Sequence, residues 1–499
     1  MAEVPGLYRH HARTACLASC GRASAKERQL RRSRLLAGLA LTAMLAVAAC
    51  GGGGDGGGEA GTQGGSEEDN QLLIWTTEDL ADRVASQQKI LDAWAQKSGA
   101  TVKLVAVAAD QLTTVLTSAA AGNQLPDAIA ALDLNAVNQL ATDELLDTDA
   151  AKEIVDGLGA DTFQKRTLEL TTADGKQLAV PSDGWAQLLF YRKDLFNAAG
   201  LKEPTTYADV QAAAKELNKG KTAGIVAATA PSDSFTQQTF EWVALANGCQ
   251  LVDDGGNVAL NSPQCQEAFN FYGPMMKDNS VSGNQDADTT RATYFAGDAA
   301  MVIWSSFLLD ELAGLRKDAL PTCDKCKSDP TWLAENSGIV TTLQGPGGTA
   351  PAAFGEVVSF AVLNDASPKT KELVTYMMSD GYVDWLKIAP EGKVPTRLGN
   401  ANNPTEYTDA WAKLEAGVDK KELLSNIYPA DVLQAVAASP GSFDRWGIPQ
   451  GQGSLAAAVG GQFVVPQALG KMINSGATAA EAADEAQKGA EQVKKDLGG

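Results

Sequence analysis

The stretch LLIWTTEDLADRVASQQKILDAWAQKSGATVKLVAVA, residues 72–108, holds one period of the fold. Leu72 to Trp75 is a short apolar run and reads as a buried strand. Between 79 and 97, Leu80, Val84, Leu91 and Trp94 recur at near-helical spacing, which predicts an amphipathic helix. Gly99 supplies the residue that tolerates the left-handed backbone of a helix end. Val102–Ala108 reads as the next strand, 110–121 as a helix, and Ala128–Leu132 as a third strand. Alternation of this kind argues for α/β layers around a mostly parallel sheet. At the far end, 477–497 is a surface helix rich in Ala, Glu and Lys. Roughly 430 residues follow the polar stretch that ends near Asn70, long for one core, so two lobes are expected.

Upstream lies a targeting segment. Arg22, Lys26, Arg28, Arg31, Arg32 and Arg34 stand against the single acid Glu27, and Leu35 to Ala49 carries no charge. That run is short for a membrane span and suits a signal-peptide apolar region. Val47-Ala48-Ala49-Cys50 resembles the lipobox of bacterial lipoproteins, and the glycine run Gly51–Gly54 after it resembles their usual tether. The resemblance implies a signal peptide over 1–49, lipidation at Cys50 and a Gly-rich linker over 50–70. The product would then sit at the extracellular face of the cell membrane, anchored by lipid.

Composition narrows the chemistry. With 1–49 removed, 33 basic residues face 59 acidic ones, a net of −26. A field of that sign repels nucleic acid. Both histidines, His10 and His11, fall in the leader. The remainder therefore lacks Ser-His-Asp and Cys-His sites and the commonest ligand of catalytic zinc. No GxGxxG follows a strand and no GxxxxGKS or GxxxxGKT occurs, so no cofactor or metal is expected.

Cys249, Cys265, Cys323 and Cys326 follow Cys50, and an even number in an exported chain favours disulfides. Three pairings are open, of which sequence proximity favours Cys249–Cys265 with Cys323–Cys326. In LVDDGGNVALNSPQC (251–265) the Asp/Gly turn predicts a hairpin, and Ser262-Pro263 predicts a helix start. Cys323-Asp-Lys-Cys326 could alternatively be redox-active or half of a zinc site, although no partner ligands stand near it in the sequence.

Longer blocks carry a family resemblance. WAQLLFYRKDLFNAAGLKEPTTYADVQAAAKEL (185–217) and YFAGDAAMVIW (294–304) resemble two blocks of the family 1 extracellular solute-binding proteins, the capture subunits of ABC carbohydrate importers. LLIWTTED (72–79), LPDAIAALD (125–133) and GKVPTR (392–397) match in the same order. Ser305-Ser306 stands where the family carries glycine. The resemblance implies an α/β fold of type II-like periplasmic-binding-protein architecture, two lobes joined by crossing hinge segments. One lobe would comprise 71–183 and 357–395, the other 184–356 and 396–499. It implies a monomeric receptor rather than an enzyme, with a sugar ligand and membrane permease subunits as partners.

Ligands of open α/β sheets bind beyond the carboxyl ends of strands. A neutral sugar needs carboxylates for its hydroxyls and aromatic faces for its C–H side. By correspondence with the family blocks, Glu78, Asp79 and Asp133 line one lobe. Asp183 and Trp185 fall at the first crossover, Trp304 on the second lobe and Glu356 near a later crossover, while Arg397 and Trp446 close the cleft. An Asp just past a strand also suits a helix N-cap, and Arg397 suits a structural salt bridge. Trp75, Trp94, Trp242, Trp385 and Trp411 read as packing. Acidic and aromatic linings would also suit a polyamine or quaternary ammonium ligand, and paired carboxylates would suit an anchored glycosidase.

Overall fold

A computed structural model describes residues 70–122 and 124–498. The signal-peptide, Cys50 and most of the linker expectations lie outside the described residues.

The first strands form where the apolar runs predict them: β1 (Gln71–Thr76), β2 (Thr101–Ala106) and β3 (Ala128–Leu132). β1 pairs in parallel with both others. Helix α1 (Ala81–Ser98) buries Gln87, Ile90, Leu91 and Trp94 against them. It stops at Gly99, whose φ of 71° is left-handed and whose N–H donates to Ala95 O. Leu80, expected on the apolar face, precedes the helix in an extended conformation and is 51% exposed. Two more helices follow the strands, α2 (Leu112–Ala121) and α3 (Leu134–Thr142).

The expectation of a mostly parallel sheet fails beyond β3. The other strands of this sheet are β4 (Val180–Arg192), β5 (Met301–Ser305), β6 (Ser337–Val340), β7 (Ala353–Val362), β8 (Val394–Pro395) and β9 (Phe443–Asp444). The nine-stranded sheet runs β8-β4-β7-β3-β1-β2, with β5 and β6 on β4 and β9 on β7. β4 and β7 are antiparallel, and β7 meets β3 antiparallel as well. The reason is the length of β4. Val180–Ala186 pairs with β7, whereas Gln187–Arg192 pairs with β5 and β6, so one continuous strand serves both halves of the sheet. Gly184 and Gly355 allow the crossing: a Cβ on Gly184 would lie 2.7 Å from Glu356 O, and one on Gly355 2.2 Å from the Phe443 ring.

Beyond β4 the helices α4 (Ser234–Ala246), α5 (Pro263–Asn279), α6 (Ala287–Phe295), α7 (Gly453–Gly461), α8 (Val464–Ser475) and α9 (Ala479–Asp496) build the second layer. Phe240, Trp242, Phe269, Tyr272 and Leu469 share one core with β5. A separate cluster forms around Trp75, Ile129, Leu132 and Leu363, and a third joins Leu72 and Trp94 to Trp385 and Trp411. Burial of such apolar surface, at about 25 cal/mol per Å², drives the fold. Ser262 caps α5 with Pro263 in its first turn, and Val252 bridges Val258 across the Asp/Gly turn. Both favoured disulfides are present, Cys249–Cys265 and Cys323–Cys326. Among the described residues no helix is long and apolar enough to cross a membrane.

Candidate functional site

The carboxyl ends of β1 and β3 lie side by side, because the two strands are parallel neighbours. The register of β3 with β7 shifts between Ile129 and Leu132, and Ala131 adopts a left-handed φ of 61° there. A bulge of this kind re-aims the residues that follow it. Asp133 comes next: it caps α3, accepting from Ala136 N at 2.7 Å through Oδ1, and stays exposed. The N-cap reading therefore holds, and the carboxylate remains accessible.

Glu78 is half-buried and engaged. It accepts from Gln87 Nε2 at 2.7 Å, and its Oε1 lies 3.2 Å from both Arg83 Nη1 and Lys393 Nζ. Lys393 also reaches Asp183 Oδ2 at 3.5 Å and stands over the Trp385 ring at 4.1 Å. Asp183, 1% exposed, accepts from Trp385 Nε1 at 2.6 Å and from Ser182 Oγ at 2.7 Å. Asp183 thus locks the crossover instead of facing a ligand. Arg397 is corrected in the same way. Its guanidinium donates to the carbonyls of Met378 and Leu158 and to Thr162 Oγ1, which fixes it inside the protein. Asp79 is exposed.

A second charged group sits two register positions further along the β4–β7 pair. Glu356 lies directly opposite Trp185 on β7 and accepts from Leu134 N at 2.8 Å, at the start of α3. Arg445 Nη1 donates to Glu356 Oε2, and Arg445 Nε reaches Glu241 Oε1 at 3.3 Å. Glu241 also accepts from Trp446 N at 2.7 Å. Burial pushes the Glu356 carboxyl up to about 7 and raises Glu241 as well, each against the pull of Arg445. Desolvation opposes charge on Arg445, but Glu356 and Glu241 outweigh it and keep the guanidinium protonated. A cavity of about 460 Å³ opens beside this group, lined by Asp133, Asn135, Gln237, Glu241, Arg445 and the edge of Trp446, among others.

Aromatic rings join the two charged groups. Trp185 is half-buried, with Phe307 at 6.4 Å and Phe354 at 6.1 Å between ring centroids. Arg83 stacks over Phe307 at 5.7 Å and Arg445 over Phe354 at 4.9 Å. A continuous belt therefore runs Glu78–Arg83–Phe307–Trp185–Phe354–Arg445–Glu356 to the start of α3 and Asp133. Trp304 and Trp446 stand apart from it. Trp304, 8% exposed, donates Nε1 to Ala287 O at 2.9 Å, and Trp446, 2% exposed, donates Nε1 to Cys249 O at 2.9 Å. Neither presents an open ring face.

Sequence reasoning did not single out Arg83, Phe307, Phe354, Lys393, Glu241 or Arg445. Phe307 lay three residues beyond Trp304, past the Ser305-Ser306 departure, and Arg445 stood beside Trp446. Those adjacencies were the available signal. Their pairing across more than 200 residues, as between Arg445 and Glu241, was not.

Residues 77–384 match the family described as bacterial extracellular solute-binding protein. The Escherichia coli (strain K12) protein YcjN, whose name places it with ABC transporter periplasmic-binding proteins, is 26% identical over 375 residues, 73% of this chain and 81% of its own. Among solved structures, an ABC transporter solute-binding protein from Agrobacterium radiobacter K84 in complex with ribitol aligns with a TM-score of 0.58 at 22% identity. That alignment covers 85% of this chain and 98% of the other. The cyclic α-maltosyl-1,6-maltose binding protein of Arthrobacter globiformis gives 0.64 at 18% identity, over 85% and 99%. The likeness shows a two-lobed α/β binding-protein fold.

Proposed function

Because the chain belongs to the bacterial extracellular solute-binding proteins, which are binding components of ABC transporters and not enzymes, we propose that it captures a neutral carbohydrate for import. The observation that carries this reading is the aromatic belt, in which Glu78 and Glu356 each meet a cationic side chain. Trp185 and Phe307 are half-buried along it, while Glu78 meets Arg83 and Lys393, and Glu356 meets Arg445, which it shares with Glu241. A cationic guest would need unpaired carboxylates around its charge. A polyhydroxylated one needs ring faces and polar groups in fixed places. Ribitol and a cyclic maltosyl-maltose are the ligands named for the two solved relatives, which supports the same class.

The lobes in this reading divide at Asp183/Gly184 and at Glu356/Val357, where β4 and β7 cross. The segment after β8 stays with the first lobe as far as Trp411, since Arg397 is held by Leu158 and Met378 and Trp411 Nε1 donates to Pro390 O. Ligand bound to one lobe favours closure by the other to the extent that it prefers the closed form, and the permease senses that form. Lipidation at Cys50 holds the monomeric receptor at the outer face of the membrane.

Two experiments test this. A thermal-shift screen against mono-, di- and oligosaccharides, ribitol and spermidine should find a stabilising sugar or polyol, worth about 2.7 kcal/mol at a hundredfold excess over Kd. Stabilisation by spermidine alone would overturn the carbohydrate reading. In membrane fractionation, Cys50→Ala should move the full-length protein from the membrane to the soluble fraction. Retention of the variant on membranes would dismiss the anchor.

A further inference from the structure

Two amide oxygens in the cleft meet no donor. Gln237, on α4, is 7% exposed, and its Oε1 has no hydrogen-bond partner among the described residues. Asn135 Oδ1, on the first turn of α3, is likewise buried without a partner. Both side chains line the same cavity of about 460 Å³. Leaving one such oxygen without a donor costs about 1–3 kcal/mol.

The neighbouring charged groups are committed elsewhere. Glu241 is held by Trp446 N and Arg445 Nε, Glu356 by Leu134 N and Arg445 Nη1, and Asp133 Oδ1 by Ala136 N. Apart from the exposed Asp133 carboxylate, two neutral amides, Asn135 and Gln237, face a guest there. An amide oxygen accepts while its NH₂ donates, so it reads a hydroxyl in either sense without drawing in a cation.

Resting on the carbohydrate reading, we propose that Asn135 and Gln237 are a specificity-determining pair, each accepting a hydrogen bond from a different hydroxyl of the ligand. They reach the cavity from different layers. α3 follows β3 of the parallel half-sheet, and α4 packs in the helical layer beside β5. One ligand that satisfies both oxygens links the two layers. A guest missing either hydroxyl leaves a buried oxygen unpaired, and this discriminates more sharply than a change in apolar contact.

Isothermal calorimetry on the exported chain, with the tightest sugar or polyol from the screen and its monodeoxy series as probes, tests the pair. Gln237→Leu and Asn135→Leu should each weaken the parent ligand about 10–100-fold. Each variant should also lose discrimination against one particular deoxy analogue, a different one for each residue, as a double-mutant cycle requires for a direct contact. Gln237→Met keeps the side-chain length without the acceptor, should weaken the parent ligand to the same extent, and replaces the leucine variant if that one fails to fold. Affinity within about threefold in both leucine variants, or equal weakening of every analogue, would overturn the pair while leaving the carbohydrate reading intact. Binding of spermidine with no sugar or polyol bound would overturn both.

Discussion

Replacing Arg445 by methionine is expected to destabilise the protein by about 3–5 kcal/mol, the usual consequence of removing one partner from a buried ionic group. Arg445 is 6% exposed and lies between Glu356 and Glu241, themselves 4% and 5% exposed. Without the guanidinium, two carboxylates remain in a desolvated site, and both are already raised by burial while the cation is present. Each must then take up a proton on folding or remain an uncompensated charge. The loss should therefore be larger at pH 8 than at pH 5, where proton uptake is easier. Urea denaturation at the two pH values measures it. A loss below about 1 kcal/mol at pH 8 would mean that water reaches the group and that its electrostatics are those of a surface.

The second large effect is a loss of stability as pH rises. Asp310 is fully buried and neither of its oxygens has a hydrogen-bond partner among the described residues. Desolvation, then the neighbouring Glu391 and Glu311, push its carboxyl up to about 8, against the pull of Arg316. Burial also raises Glu311 to about 7 and lifts Glu391. A group raised on folding contributes stability that is complete below its unfolded value and is lost as pH rises through the folded one. The vulnerable window therefore runs from about 4 to about 8. Such a displacement carries at most about 6 kcal/mol at 1.36 kcal/mol per pH unit. Because part of the displacement comes from repulsion by Glu391 and Glu311, we expect about half of that for Asp310 alone. Asp310→Asn, which cannot ionise, should gain about 2–3 kcal/mol over wild type at pH 9 and little at pH 5. Parallel pH profiles for the two proteins in urea would refute the assignment.

Much of the local structure was legible because its causes are local. Gly99 ends α1 through a left-handed backbone, Ser262 and Pro263 start α5, and Asp133 caps α3 from the residue after β3. Cys249 and Cys265 are 16 residues apart, with a tight turn between them. The site was legible only in part. Glu78, Asp133, Trp185 and Glu356 fall on or beside the belt, whereas Asp183 and Arg397 are taken up by contacts with Trp385, Lys393, Leu158 and Met378. A buried charge near a cleft and a ligand-facing charge look alike in a sequence, because the difference lies in who else reaches them.

Spacing, capping residues, the lack of histidine after His11 and the run of family blocks determined from the chain alone a two-lobed α/β binding protein with an acidic balance. Those properties depend on side-chain type and on neighbours a few residues away. Only the tertiary structure decided that β4 would pair antiparallel with β7 and extend onto β5 and β6, that Lys393 would claim Asp183, and that Arg445 would draw Glu241 and Glu356 together. These outcomes depend on which distant groups compete for the same buried partner. Burial makes that competition costly enough to have one winner, and no local pattern records it.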